Sequence, residues 1–361
     1  FMYGLDRASI SIAVAMHMFD LTGNILKHYP KATSNTISSK TMSFDINYKN
    51  INKIKIVEKR EYRIFQIDFS YPRKYSDNNI IVENDEESRR KTEKEILEVI
   101  QKITGEKLKL ERMVYDYFEF TTQQEVGSFF HYYNIINFFY RALVRNFKDL
   151  DKTQYYNYTE KEDRFYTTGF IFKPFKGWKI RLYGKNFEHN KYHEDKIFGG
   201  LVRMEHVLTR RLIKKLFNSC YVTDIQIEEM KKQISSILCK QIFKILVEEI
   251  YRSNEKLEKA LQNFKSNDLE SIIRDYAEWI LDNSIVDDIV TKINTKSYRQ
   301  LQRYRKKIRI ILKLAQSRAS PKREYFGNIE RLEKFINEIL LQSCKVECNN
   351  IKHFTCKILS K

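Results

Sequence analysis

The chain has 361 residues, 42% of them hydrophobic, with 24 Phe and 23 Tyr. That is enough apolar side chain for real cores and excludes wholesale disorder. With only 10 Gly and 4 Pro, collagen-like and linker-rich architectures are excluded as well. A net charge of +18 points to a polyanionic partner, nucleic acid or an anionic surface. No apolar run reaches the roughly 18 residues that a membrane-crossing helix needs, so no membrane partner is expected. Five cysteines, an odd number, argue against a disulfide framework; with no secretory signal pattern, they suggest a reducing cytoplasm.

In chain order, β-branched and aromatic runs predict strands at Ser9–Ala15, Ile54–Val57, Arg63–Ser70, Met113–Phe120, Thr167–Phe172, Lys179–Gly184 and Leu201–Val207. Apolar spacing of three and four predicts helices over 83–103 and 123–147. The polar stretch 149–164 reads as a loop. Beyond a boundary near 220 the pattern is almost purely helical, over about 224–263, 268–293, 296–316 and 325–342. The expectation is an α+β fold: a largely antiparallel sheet backed by helices over 1–222, then an all-α domain over 223–361.

There is no Walker loop, GxGxxG, GxSxG or HExxH motif, which removes the usual signals of nucleotide hydrolysis, hydride transfer and serine hydrolysis. In Lys179-Ile-Arg-Leu-Tyr-Gly-Lys185, alternation places Arg181, Tyr183 and Lys185 on one strand face. Flanking cations favour a phenolate and can hold a phosphate, although a solvated strand face has the same pattern. Arg203 and Glu205 share a face of the next strand, as a structural pair or around a metal. Asp116 falls on the face of Val114, Phe118 and Phe120, where a carboxylate needs a partner. Asp68 poses the same question.

Several of these segments, in order, resemble the replication initiators of filamentous phages (the gene-two-type rolling-circle nickases) and their plasmid relatives. Asp68-Phe-Ser-Tyr-Pro-Arg-Lys74 resembles the family's acidic-x-Ser-x-Pro-x-Lys strand, and Asn78-Asn79 the loop after it. Val114-Tyr-Asp116 stands where the family has Arg-Ile-Asp, with Val114 replacing the Arg. Arg181-Leu-Tyr183-Gly-Lys185-Asn-Phe-Glu188 resembles the strand of the DNA-linking tyrosine. Gly200-Leu-Val-Arg-Met-Glu205 resembles a strand leading into a basic helix, here with Arg210 and Arg211, and Arg203, Arg210 and Arg211 are expected to contact DNA. Ser297-Tyr298, Arg303-Tyr304-Arg305 and 329–339 resemble a C-terminal helical pair.

The resemblance implies a replication endonuclease that nicks DNA and transfers the strand through Tyr183 bound to a 5′-phosphate. It implies a divalent ion, Mg²⁺ or Mn²⁺ by its oxygen ligands, on Asp116 and Glu205 with Asp68 third. Lys185 would neutralise the phosphate, with Glu188 or His189 as proton acceptor. The partners would be origin duplex and the single-stranded nick site, with a host helicase, a polymerase and a second copy as further candidates. A transposase using the same tyrosine chemistry and a non-catalytic DNA-binding regulator stay open as alternatives.

Two C-terminal features stand apart. Residues 297–323 hold ten Lys or Arg and no acid, among them Arg299, Arg303, Arg305, Lys306, Lys307, Arg309 and Lys313. Such a helix fits DNA phosphates, though a solvated face has the same pattern. Cys344, Cys348, His353 and Cys356 form a set with unusual spacing for zinc, and buried or surface thiols account for it more simply.

Overall fold

The computed structural model describes residues 2–15, 20–74, 81–125, 139–140, 142–144, 146–147, 150–153, 169–192, 194, 201–238, 241–242, 245–246 and 297–317. Ten strands are present: β1 (Met2–Ala15), β2 (Thr33–Ser38), β3 (Thr41–Tyr48), β4 (Ile51–Glu58), β5 (Tyr62–Ser70), β6 (Val114–Glu125), β7 (Leu150–Thr153), β8 (Gly169–Phe175), β9 (Trp178–Gly184) and β10 (Leu201–Thr209). Their hydrogen-bonded order is β2-β3-β4-β5-β1-β6-β10-β9-β8-β7. The β2–β3, β3–β4, β4–β5, β1–β5 and β1–β6 pairs are antiparallel. The helices are α1 (Leu21–His28), α2 (Glu86–Thr104), α3 (Lys185–Tyr192), α4 (Arg210–Phe217), α5 (Ile227–Leu238) and α6 (Tyr298–Ser317). The protein is α+β with a large antiparallel sheet, and no helix among the described residues is long and apolar enough to cross a membrane.

The chain forms two compact units, each discontinuous in sequence. The first comprises 1–123, 172–181 and 203–234; the second comprises 124–171, 182–202 and 235–361. In the first unit, strand alternation sorts the sheet into two faces. Ala8, Ile10 and Ile12 pair with Phe69, Ile67 and Phe65 of β5, and Ile54 and Ile56 of β4 continue the row. All eight are buried. The opposite face carries Arg7, Ser9 and Ser11 on β1, Gln66 and Asp68 on β5, and Tyr117 and Glu119 on β6.

Helix α2 is tied to the first unit by buried polar groups as well as by Ile96, Ile100 and Ile103. Asp85 caps it, accepting from the Ser88 amide at 2.7 Å, and Gly105 closes it in the left-handed region (φ 71°). Arg89, fully buried, donates to Glu93 (2.7 Å), to the Tyr115 hydroxyl (2.7 Å) and to the Ile225 carbonyl (2.9 Å). Burial, with Glu93 beside it, holds the Tyr71 phenol well above its ordinary range, and burial does the same to Tyr115.

The predicted strands are all present, most of them longer than expected. β2 is polar and exposed throughout and offers no alternation to read. β3 does alternate, with Met42, Phe44, Ile46 and Tyr48 on one side, yet it, β2 and α1 are all absent from the expected elements. β7 lies inside the expected loop over 149–164. β6 runs through Glu125, past the start expected for a helix over 123–147, and most of that helix lies outside the described residues. The helices expected over 268–293 and 325–342, Asn78-Asn79 and the Cys344, Cys348, His353, Cys356 set lie outside them too.

Candidate functional site

Two β-bulges shape the polar face of the first unit. The β1–β6 register skips between Leu5 and Arg7, making Asp6 an extra residue on β1. It slips again between Ser9 and Ile10, which leaves Asp116 as an extra residue on β6. A bulge re-aims one side chain against the local alternation. Asp116 therefore does not lie with the apolar row of Phe118 and Phe120, as simple alternation expects; it accepts from the Ser11 hydroxyl at 3.2 Å, with Arg210 at 3.6 Å. Burial raises its carboxyl above the usual range, against the pull of Arg210 and Ser11.

Asp6, Glu119 and Glu205, from β1, β6 and β10, converge so that one carboxylate oxygen of each lies within 4.8 Å of the others. All three are buried. Two arginines serve them. Arg203, fully buried, donates to Asp6 at 3.1 Å and to Gln123 at 2.6 and 2.8 Å, and lies 3.9 Å from Glu205. Arg181, one third exposed, reaches Glu205 at 3.1 Å and Glu119 at 3.6 Å. Three carboxylates meet two guanidiniums here, with Arg7 and Lys179 acting from farther off. The crowding falls on Glu119: burial, then the neighbouring Glu205 and Asp6 carboxylates, push its carboxyl up to about 8. Arg181 opposes that rise. The cluster offers what a hard divalent cation wants, carboxylate oxygen ligands converging from three strands.

Asp68 is not part of this cluster. Arg7 holds it with two bonds (2.7 and 2.9 Å), the Tyr117 hydroxyl donates at 2.7 Å and Asn52 donates at 3.5 Å. Of the three expected metal ligands, the structure brings only Glu205 into the acidic cluster; Asp6 and Glu119 join it in place of Asp116 and Asp68. Glu119 is legible as the polar member of a strand whose period-two face continues Tyr117, Glu119, Thr121, Gln123. Asp6 gave no signal, because it precedes the expected strand start and sits in a bulge.

Arg203, expected among the DNA contacts, is fully buried and engaged with Asp6 and Gln123, so it offers no surface charge. Arg210 and Arg211 are exposed at the start of α4, where Leu212, Ile213 and Phe217 face inward.

In the second unit, Tyr183 is buried near the end of β9. Gly169 of β8 packs against it: a Cβ there would lie 2.5 Å from the Tyr183 Cβ, so only glycine allows this approach. The chain turns helical at Lys185, which ends strand alternation at Gly184. Lys185 is thus the first residue of α3, not the third member of a strand face with Arg181 and Tyr183. Lys185 is buried and donates to Glu188 at 2.5 Å, one turn on; His189 is buried on the same helix. In α6, Arg299, Arg303, Lys306, Lys307 and Arg309 are exposed and Arg305 is half-buried. Lys313 lies in the last part of the same helix.

No protein-family model matches the chain, and no curated protein matches it. Among solved structures, the di-domain ARO/CYC BexL from the BE-7585A biosynthetic pathway is similar at a TM-score of 0.21 and 8% identity, over 66% of this chain and 96% of that one. At that level of likeness it carries no argument about function.

Proposed function

We propose that the chain is a divalent-metal-dependent DNA nickase and strand transferase that initiates rolling-circle replication, with Tyr183 as the nucleophile. The convergence of Asp6, Glu119 and Glu205 carries the reading. A metal-dependent phosphoryl transfer needs several carboxylate oxygens brought to one point, and that cluster does so. The resemblance of the Tyr183 and Glu205 strands to those of the initiators gives the reaction its class. An all-α C-terminal DNA-binding domain belongs to the same proposal, as does a cytoplasmic setting.

Mg²⁺ or Mn²⁺ in this cluster would act as a Lewis acid on a phosphate oxygen. Arg203, 3.1 Å from Asp6, holds that carboxylate in place. Tyr183 Oη attacks the phosphorus; a phosphotyrosine bond forms, the bond to the 3′-oxygen breaks, and that oxygen takes a proton from solvent water and leaves as a 3′-OH. The phenol's own proton passes to a neighbouring base, for which Glu188 and His189 are the candidates. Lys185, already held by Glu188, supplies positive charge on that helix.

The test incubates the full chain with single-stranded oligonucleotides and Mn²⁺, then maps any covalent adduct by mass spectrometry. An adduct on Tyr183 that disappears in EDTA and in Tyr183→Phe is expected. An adduct on another tyrosine overturns the nucleophile, and full cleavage in EDTA overturns the metal. DNA binding without any adduct favours a regulator.

A further inference from the structure

Helix α6 places its charge and its apolar residues on different sides. Tyr304 and Ile308, one turn apart, are buried, and Leu301 is half-buried on the same side. Arg299, Arg303, Lys306 and Ile310 recur at spacings of four, three and four, along the side opposite Tyr304 and Ile308. Lys307 and Arg309 flank that stripe and are exposed too. Among the described residues none of the five exposed cations has an acidic partner, and residues 297–310 contain no Asp or Glu. The charge is not balanced within the helix.

The spacing matches a particular polyanion. From Arg299 to Arg309 the axis advances about 15 Å at roughly 1.5 Å per residue. Five cations over that length are about one per 3 Å. Each strand of a DNA duplex carries about one phosphate per 3.4 Å of axis. An anionic membrane fits less well. An interfacial helix inserts its apolar side among the acyl chains, and here that side, with Tyr304 and Ile308, is already buried in the protein. Readout of base sequence by this stripe is also limited. Of the two exposed amides, Gln300 already donates to the Tyr304 hydroxyl at 3.1 Å, which leaves Gln302 for a paired contact to adenine.

We infer that α6 is a backbone rail for duplex DNA: it contributes affinity through phosphates along one strand and little sequence preference. This deepens the nickase reading by separating duplex capture on α6 from cleavage, and the helix observations stand without it.

The experiment uses the full chain and an arbitrary duplex, with affinity followed by fluorescence anisotropy from 50 to 200 mM salt. Arg299, Arg303, Lys306, Lys307 and Arg309 are all replaced by Gln. If about four of them touch phosphates, the log–log salt slope flattens by about 3 to 4 units. The parent's affinity then falls about a hundredfold more than the variant's across that salt range. A control replaces five exposed cations of the first unit, Lys27, Lys31, Lys40, Lys59 and Arg60, by Gln. It loses the same charge and should keep the parent slope. Arg299, Arg303 and Arg309 replaced by Lys should keep it as well, and circular dichroism should be unchanged throughout.

An unchanged slope in the five-Gln variant overturns the inference, and so does equal flattening in the control, which would reduce the effect to net charge. Loss of binding to phosphatidylserine vesicles with duplex binding intact overturns it in favour of a membrane. The nickase reading is scored separately, on cleavage of a short single strand. A parent that shows the α6-dependent slope but never forms an adduct leaves the rail standing and overturns the nickase.

Discussion

Two carboxylate sites on one sheet face are built by opposite rules. Asp68 is a single acid with more donors than it needs: two bonds from Arg7, one from Tyr117 and one from Asn52. Burial, then the Asp68 carboxylate beside it, drives the Tyr117 phenol above its ordinary range, so it stays a donor. The cluster of Asp6, Glu119 and Glu205 has three acids and two arginines, and it is deeper. The first site is complete as a structural brace. The second crowds three acids together, and a proton on Glu119 or a bound cation relieves their repulsion. A pair whose charges cancel is ordinarily structural, whereas buried acids crowded together imply a ligand or a proton.

The sharpest way to break this contrast is Arg203→Met. It strands Asp6 beside two other acids in a buried place, and losing one partner of a buried pair costs about 3–5 kcal/mol. Urea denaturation at pH 7 measures it, and millimolar Mn²⁺ should restore part of the loss. No restoration would mean that the acids do not share a cation. Next comes Glu205→Gln, expected to lower Mn²⁺-dependent cleavage at least about a hundredfold, since a lost ligand weakens a Lewis acid that supplies several kcal/mol. Asp68→Asn should leave cleavage within a few-fold, and equal losses in the two variants would erase the distinction.

Acidity sharpens the contrast further. The Glu119 carboxyl is raised in the fold to about 8 from an ordinary 4.5. Between those values the folded state holds more protons than the unfolded one, so metal-free stability should fall as pH rises through that window. Glu119→Gln should flatten the fall, and Mn²⁺ should flatten it too by displacing the proton. His206, on the other face of β10, has the opposite sign. Fully buried, with no hydrogen-bond partner on either ring nitrogen, it packs against Trp178, and burial lowers it to about 3. Its contribution is intact above about 6.5 and is lost as pH falls toward 3. His206→Leu should therefore soften acid unfolding only. Melting temperature against pH separates the two. Arg181→Met, smaller again, removes a cation that competes with the metal and should tighten Mn²⁺ binding about tenfold by calorimetry.

Much of this was legible in the chain. The strands came from β-branched runs, and Glu205 beside Arg203 was visible as a strand pair. What escaped has a common physical cause. Asp6 and Asp116 are both bulge residues, and a period-two reading has no means of seeing an extra residue in one strand of a pair. Lys185 was misplaced because alternation was carried one residue past Gly184, where the strand already ends. β2 was invisible because all six of its residues are exposed, so no hydrophobic alternation exists to read.

The smallest expected effect is the most discriminating about Asp68 itself. The Arg7 and Asp68 side chains are 41% and 19% exposed, and ion pairs this close to water contribute about 0–1 kcal/mol. Asp68→Asn keeps the shape and an acceptor for the Tyr117 hydroxyl, and it removes the charge. If Asp68 is a brace, the variant loses about 1 kcal/mol or less, its Mn²⁺ affinity is unchanged, and added salt narrows the gap to the parent by screening the Arg7 pair. A metal ligand behaves otherwise: its loss weakens Mn²⁺ binding at any salt, with little change in metal-free stability. Denaturation and calorimetry on the one variant give two independent readings. A fall in Mn²⁺ affinity would return Asp68 to the metal site that its sequence context first suggested. It would also mean that a carboxylate already satisfied by Arg7, Tyr117 and Asn52 gives up those bonds when metal arrives.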